Sequence, residues 1–234
     1  MPSLPQALMA DLVHANHILY RRGVVDGFGH VSIRHPDDPA RFLMARSMAP
    51  GLVTQDDVMM LNLSGEPVGT DMRPNLERYI HSAIYAARPD VQSVVHNHSQ
   101  GVIPFGLVPA VPLRPVCHLG GFIGAAAAVF EIRESGGPKT DMLVRTPELG
   151  DALARKLAQD NVILMRGHGA TIVGTTLRQA VFRSVYTEIN ARLQAEALRL
   201  GTPIYMTAEE AEAASLTNDG QIGRSWDLWL RELA

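Results

Sequence analysis

Apolar residues recur at helical spacing at Leu8, Leu12, Ala15 and Leu19, which predicts a helix from about Gln6 to Tyr20 that stops near Gly23. Short apolar runs follow at His30 to Arg34, Phe42 to Ala45 and Val58 to Leu63, the last closed by the turn Ser64-Gly65; these read as strands. A helix from about Asn75 to Ala87 follows Pro74 and ends before Pro89. The run Val91-Gln92-Ser93-Val94-Val95 reads as a strand ending in His96-Asn97-His98. The segment from Pro104 to Pro115 reads as irregular, and Gly120-Gly121 and Gly136-Gly137 as breakers. Beyond them the pattern predicts a strand at Met142 to Arg145, a helix from Pro147 to Gln159 and a strand from Val162 to Met165. The longest helical pattern runs from Leu177 to Leu200, and two short helices follow, about Ala208 to Ala214 and Ile222 to Leu233. Strands in the middle with helices at both ends predict a three-layer α/β/α fold, a central mixed, largely antiparallel sheet flanked by helices. With no repeat or low-complexity linker, 234 residues are expected to form a single domain, 1-234.

The strand ends change this picture most. On a strand, residues i and i+2 face the same way, so His96 and His98 stand side by side. The strand Asn161 to Met165 ends in Arg166-Gly167-His168-Gly169 and offers a third imidazole in a similar setting. Gly167 and Gly169 let the backbone approach a bound ion closely. Asn97, on the opposite face, is placed to fix the turn after its strand. Glu77 lies just upstream, where a helix–turn–strand connection can bring its carboxylate to His96. Each feature has a plainer reading: buried histidines bonded to backbone, and a solvated helix carboxylate. Together they make an open site for a divalent ion; three imidazoles suit Zn²⁺ and the carboxylate also suits Mn²⁺. Such an ion is a Lewis acid that stabilises negative charge on an oxygen and an adjacent carbon.

Composition narrows the rest. The apolar share is 46% and the net charge −3, with no basic stripe for nucleic acid. A lone cysteine, Cys117, excludes an intrachain disulfide framework and reads as a small buried hydrophobe. No apolar segment approaches the roughly 20 residues that span a bilayer. Met1-Pro2-Ser3-Leu4-Pro5 lacks the basic and apolar regions of a secretory signal, so a cytoplasmic location is expected. Nine histidines is a high count for this length.

The motifs Gly27-Phe28-Gly29-His30-Val31-Ser32, Arg73-Pro74-Asn75-Leu76-Glu77, His81, Ala87-Arg88-Pro89-Asp90-Val91, Val95-His96-Asn97-His98 and Arg166-Gly167-His168-Gly169 resemble the class II aldolase/adducin family. The resemblance covers nearly the whole chain. It implies a homotetramer with four-fold symmetry, active sites near subunit interfaces, and a divalent metal, Mn²⁺ favoured over Zn²⁺, held by His96, His98 and His168. It implies that Glu77 is a ligand in the resting site and an acid/base when substrate displaces it. His81, one turn beyond Glu77, is expected to steady it or pack beneath the site.

Where sugar-phosphate aldolases of the family hold phosphate, this chain has Gly29-His30-Val31-Ser32, Ala49-Pro50-Gly51 and Asn75-Leu76. Bulky His30 and apolar Leu76 fit a phosphorylated sugar poorly. Arg46, Arg73 and Arg166 are candidate carboxylate partners beside His30, although an arginine in such a position is more often a surface residue. His118 falls near the position of a catalytic tyrosine that the family's aldolases supply from a neighbouring subunit, and is a candidate proton donor or an interface residue. His14, His17 and His35 read as surface positions, and Trp226 and Trp229 as cover for an active-site mouth or, preferably, a subunit interface. The pattern resembles the decarboxylating branch of the family. That implies loss of CO₂ from a small aromatic hydroxy-dicarboxylate such as 3-hydroxy-2-methylpyridine-4,5-dicarboxylate, in vitamin B6 degradation. The alternatives are aldol cleavage of an unphosphorylated hydroxy-keto acid and, in a different class, a non-enzymatic assembly module like that of adducin.

Overall fold

The computed structural model describes residues 6–233; the stretch read above for a secretory signal lies outside them. Helix α1 (Gln6–Arg21) leads into strands β1 (His30–Arg34), β2 (Arg41–Ala45) and β3 (Val58–Asn62). Helix α2 (Arg78–Ala87) and strand β4 (Ser93–Asn97) follow, then a short helix α3 (Ile103–Leu107), strand β5 (Ala128–Phe130) and a single turn α4 (Arg133–Gly136). Helix α5 (Pro147–Leu157), strands β6 (Val162–Met165) and β7 (Gly169–Gly174), and helices α6 (Leu177–Leu200), α7 (Ala208–Asp219) and α8 (Ile222–Leu233) complete the chain. The strands form one sheet in the order β3-β2-β1-β4-β7-β6-β5. Every pairing is antiparallel except β5 with β6, so the sheet is mixed and largely antiparallel, flanked by helices as expected.

Strand parity sorts the two faces. Val31, Ile33, Leu43, Val95, Leu164 and Ile172 point to one core with α1, α6 and α8. Phe42, Met44, Val94, Ile163, Met165 and Val173 point to the other with α2 and α5. By the same alternation His30, Ser32, His96 and His98 belong to the α2/α5 face. Register then places His30 directly opposite His96.

Several expectations are corrected. Met142 to Arg145 is not a strand: Met142 has φ +71°, which breaks the extended run. Its backbone groups serve side chains instead of a ladder, as described below. Two strands escaped the pattern. β5 follows an alanine run that carries no period-2 signal, and β7 is bracketed by Gly169 and Gly174. The segment from Pro104 to Pro115 is irregular apart from α3, and α2 begins at Arg78, leaving Glu77 at its N-cap. Trp226 and Trp229 are buried in the core of their own chain and are neither an interface patch nor a cover. Cys117 is half-buried. His14 and His17 are half-buried, and His17 Nε2 donates to the Val53 carbonyl at 2.9 Å. Half-buried His35 accepts from the Asp37 and Asp38 amides.

Gly150 lets α5 lie against α2. A Cβ there would sit 2.4 Å from the Tyr79 carbonyl oxygen. Alanine in a helix interior normally gains roughly 0.5–1 kcal/mol over glycine, but overpacking against rigid backbone costs about 1–3 kcal/mol. Gly150→Ala is therefore expected to lower the urea midpoint at equal protein concentration. A variant as stable as the parent would show that the two helices have room to spare.

Candidate metal centre

Four side chains from three elements converge at the C-terminal end of β4. Glu77 enters from the N-cap of α2, His96 and His98 from the end of β4, and His168 from the turn between β6 and β7. Their ligand atoms all lie within 4.8 Å of one another. His98 Nε2 is 3.1 Å from His96 Nε2 and 2.9 Å from His168 Nε2. Glu77 Oε2 is 3.4 Å from His96 Nε2 and 3.5 Å from His168 Nε2. The β6–β7 turn comes this close because Gly169 lacks a side chain; a Cβ there would fall 1.9 Å from the Asn97 carbonyl oxygen. Asn97 itself accepts from the Ser99 amide and shapes the turn after β4.

Backbone groups aim the donors inward. His168 Nδ1 donates to the Met142 carbonyl at 2.9 Å, which leaves the Nε2 lone pair facing the cluster. The Val144 amide donates to Glu77 Oε1 at 2.9 Å, which leaves Oε2 facing the same point. These are the bonds that the expected strand at Met142 to Arg145 would have spent on a sheet. Neutral nitrogens and a carboxylate turned toward one another repel unless a cation lies between them. Two donors each about 2.1 Å from one ion stand roughly 3.0–3.4 Å apart, so this donor set and its spacing fit a divalent metal.

The electrostatics agree. Burial disfavours an ionised Glu77, but His96 and His168 outweigh it and hold the carboxyl well below its usual range. Burial likewise opposes protonation of His168, yet Glu77 prevails and raises it. His98 is pushed down to about 4, by burial first and then by His96 and His168. One negative charge among buried imidazoles is a site prepared for positive charge.

A cavity of about 320 Å³ opens beside the cluster, lined by His98 and Glu77, by Phe28, Leu76 and Leu143, and by His30 among others. Ala49 and Asn75 also line it, so the positions expected to replace a phosphate turn form its wall. Arg46, Arg73 and Arg166 are not lining residues. Arg46 pairs with Asp57 at 2.7 Å, and Arg166 with Glu131 at 2.6 Å. Arg73 is exposed, and its carbonyl accepts from the amide of the lining residue Ser47. His118 is exposed at a separate cavity with Tyr186, Arg224 and Leu228, away from Glu77. His81 bonds His30 and Ser32 and makes no bond to Glu77. Ser32, named above only within a motif, and Tyr85, not named, complete a buried chain with His81; for Ser32 the alternation of β1 was the available signal.

Comparison with known proteins gives a consistent result. The family model described as Class II Aldolase and Adducin N-terminal domain matches residues 10–195. Decarboxylase tropJ of Talaromyces stipitatus is 36% identical over 99% of this chain and 96% of that protein. The 3,4-dihydroxyphthalate decarboxylase of Terrabacter sp. is 30% identical over 83% of this chain and 81% of its own. Among solved structures, an aldolase II superfamily protein from Pseudomonas syringae matches with a TM-score of 0.81 at 21% identity, covering 100% of this chain and 94% of that one. At that identity the likeness concerns the fold alone.

Two outcomes follow from this geometry. Purified protein given Zn²⁺ and dialysed should carry about one ion per chain by elemental analysis, and His96→Ala and His168→Ala should each lose most of it. Undiminished metal in both variants would rule out the centre. The second concerns His81, which is pushed down to about 3, chiefly by burial and then by His96. An unfolded histidine titrates near 6.5, so below that pH the unfolded chain binds a proton that the fold excludes. Stability present above about pH 6.5 is then lost as pH falls toward 3, by up to about 1.4 kcal/mol per unit from this group. In metal-free protein, His81→Gln should show a shallower decline of the urea midpoint through that window. Equal slopes would mean that folded His81 protonates freely.

Proposed function

The chain belongs to the class II aldolase and adducin family, and from that premise we propose that it is a metal-dependent decarboxylase of a small aromatic hydroxy-dicarboxylate. It is a carbon–carbon lyase of the carboxy-lyase kind. The observation that carries the substrate reading is the Glu77/His96/His98/His168 cluster opening on a cavity whose walls include Phe28, Leu76 and Leu143. Those apolar side chains suit a flat ring, while the cluster draws its acidic edge. Relatives from Arthrobacter keyseri and Terrabacter sp. bear the name 3,4-dihydroxyphthalate decarboxylase. That compound and 3-hydroxy-2-methylpyridine-4,5-dicarboxylate share a ring with adjacent carboxylates and a hydroxyl next to one of them. Both are candidates here.

A divalent ion, Mn²⁺ or Zn²⁺, would supply Lewis acidity toward the substrate's hydroxyl and adjacent carboxylate. The remaining work falls to the chain's own residues. Phe28, Leu76 and Leu143 hold the ring and exclude water from its face. Glu77 Oε2, ionised in the resting site, accepts the proton of the substrate hydroxyl. The bond to the adjacent carboxylate breaks, CO₂ leaves, and its electron pair stays with the ring. Glu77 then returns the proton to the vacated ring carbon, and a proton from solvent restores the hydroxyl. His30 is a substrate-binding residue on the cavity wall. Arg73, with no ion-pair partner among the described residues, is the arginine free to grip the remaining carboxylate. Arg46 and Arg166 are held by Asp57 and Glu131. His118 acts, in this reading, from a neighbouring copy of a homotetramer.

The test is direct. Protein loaded with Mn²⁺ or Zn²⁺ should release CO₂ from one or both compounds. Glu77→Gln should keep its three imidazoles and lose about 10²–10⁴ in kcat. Intact metal binding without CO₂ release would discard the reading. Carbon–carbon bond formation with an aldol acceptor would favour the aldolase alternative, and absence of both chemistry and metal an adducin-like assembly role.

A further inference from the structure

A buried line of hydrogen bonds runs from the cavity wall into the sheet. His30 Nδ1 lies 2.6 Å from His81 Nε2, His81 Nδ1 2.6 Å from Ser32 Oγ, and Ser32 Oγ 2.7 Å from the Tyr85 hydroxyl. All four residues are buried. Only one end meets the cavity: His30 lines it, and the one hydrogen bond of its ring among the described residues is made by Nδ1.

Counting donors decides which way the protons point. Tyr85 is the closed end. Burial pushes its phenol above the usual range, so the hydroxyl keeps its hydrogen. The Arg34 guanidinium covers the ring face at 4.7 Å and offers no acceptor. Ser32 Oγ is the one acceptor in reach of the Tyr85 O–H among the described residues. With that bond made, Ser32 donates its own hydrogen to His81 Nδ1. Neutral His81 then carries its proton on Nε2 and donates it to His30 Nδ1. Neutral His30 is left with its proton on Nε2, facing the cavity. The opposite direction would strand the Tyr85 hydrogen in the core, and a Ser32 oxygen accepting from both neighbours would strand its own; one unmet buried donor is worth about 10-fold or more in population.

We propose that Tyr85, through Ser32 and His81, locks His30 as its Nε2–H tautomer, and that this fixed N–H binds a carboxylate oxygen of the substrate. The ligand chemistry rests on the decarboxylase reading above; the tautomer does not. No arginine or lysine lines this cavity. On the cavity wall itself, therefore, a neutral N–H of settled direction meets one carboxylate, and Arg73 stands outside the lining. The line is a lock and not a proton supply, because draining it outward would leave a buried tyrosinate. His81 and Tyr85 are positioning residues, and His30 is the one that touches substrate.

The tautomer is read without turnover. In Zn²⁺-loaded protein with ¹⁵N-labelled histidine, His30 Nε2 should show the chemical shift of a protonated ring nitrogen and Nδ1 that of an unprotonated one; the reverse assignment overturns the proposal. Tyr85→Phe should move both His30 shifts toward the other tautomer. In a calorimetric titration with phthalate, His30→Phe should bind about 10-fold or more weakly than the parent, and Tyr85→Phe should fall between them. Unchanged phthalate affinity in His30→Phe, or unmoved shifts in Tyr85→Phe, would overturn it. Correct shifts and weakened phthalate binding without CO₂ release would uphold the lock and count against the decarboxylase reading alone.

Discussion

Everything in this molecule defers to the mutual approach of three imidazoles and one carboxylate at the end of β4. Such a group is unfavourable by itself, since lone pairs and a buried negative charge face one another. It persists in part because backbone holds two of the four donors from behind: the Met142 carbonyl behind His168 and the Val144 amide behind Glu77. The cost is local order. The segment from Met142 to Val144 gives up a place in the sheet, and Met142 takes a left-handed conformation to make both bonds reachable.

The two-sided sheet is what makes that arrangement affordable. One face is packed by α1, α6 and α8 with aliphatic and indole side chains. The other is shared between an apolar half under α2 and α5 and a polar half where β1 and β4 meet. Cross-strand pairing sets His30 against His96, so the candidate metal centre and the His81–Ser32–Tyr85 line are one contiguous polar region with two outlets to the same cavity. Polar groups this deep are tolerable because partners are supplied along the line.

The relation to aldolases and decarboxylases is chemically coherent. Both break a carbon–carbon bond and leave the electron pair beside an oxygen, so one donor set serves both. The walls distinguish them. Here the lining includes Phe28, Leu76 and Leu143 and no arginine or lysine, and the aromatic-acid reading proposed above rests on those apolar walls.

Much of this was legible in the chain. Period-2 and period-3.6 patterns located α1, α5, α6, α8, β1 and β6 almost to the residue, because those elements bury a face and burial imposes the period. The spacing of His96 and His98 and the glycines around His168 pointed to one cluster because side-chain direction along a strand is a local property. Folding decided the rest. Glycine-bracketed β7 and alanine-led β5 pair through contacts that carry no local period. Met142 and Val144 serve side chains far away in sequence, and Arg46 and Arg166 are taken by acidic partners no spacing announces. The direction of the hydrogen bonds ending at His30 was equally invisible, since it depends on what surrounds Tyr85 in space. Local periodicity records which face a residue must bury; only the assembled fold determines which atoms meet there.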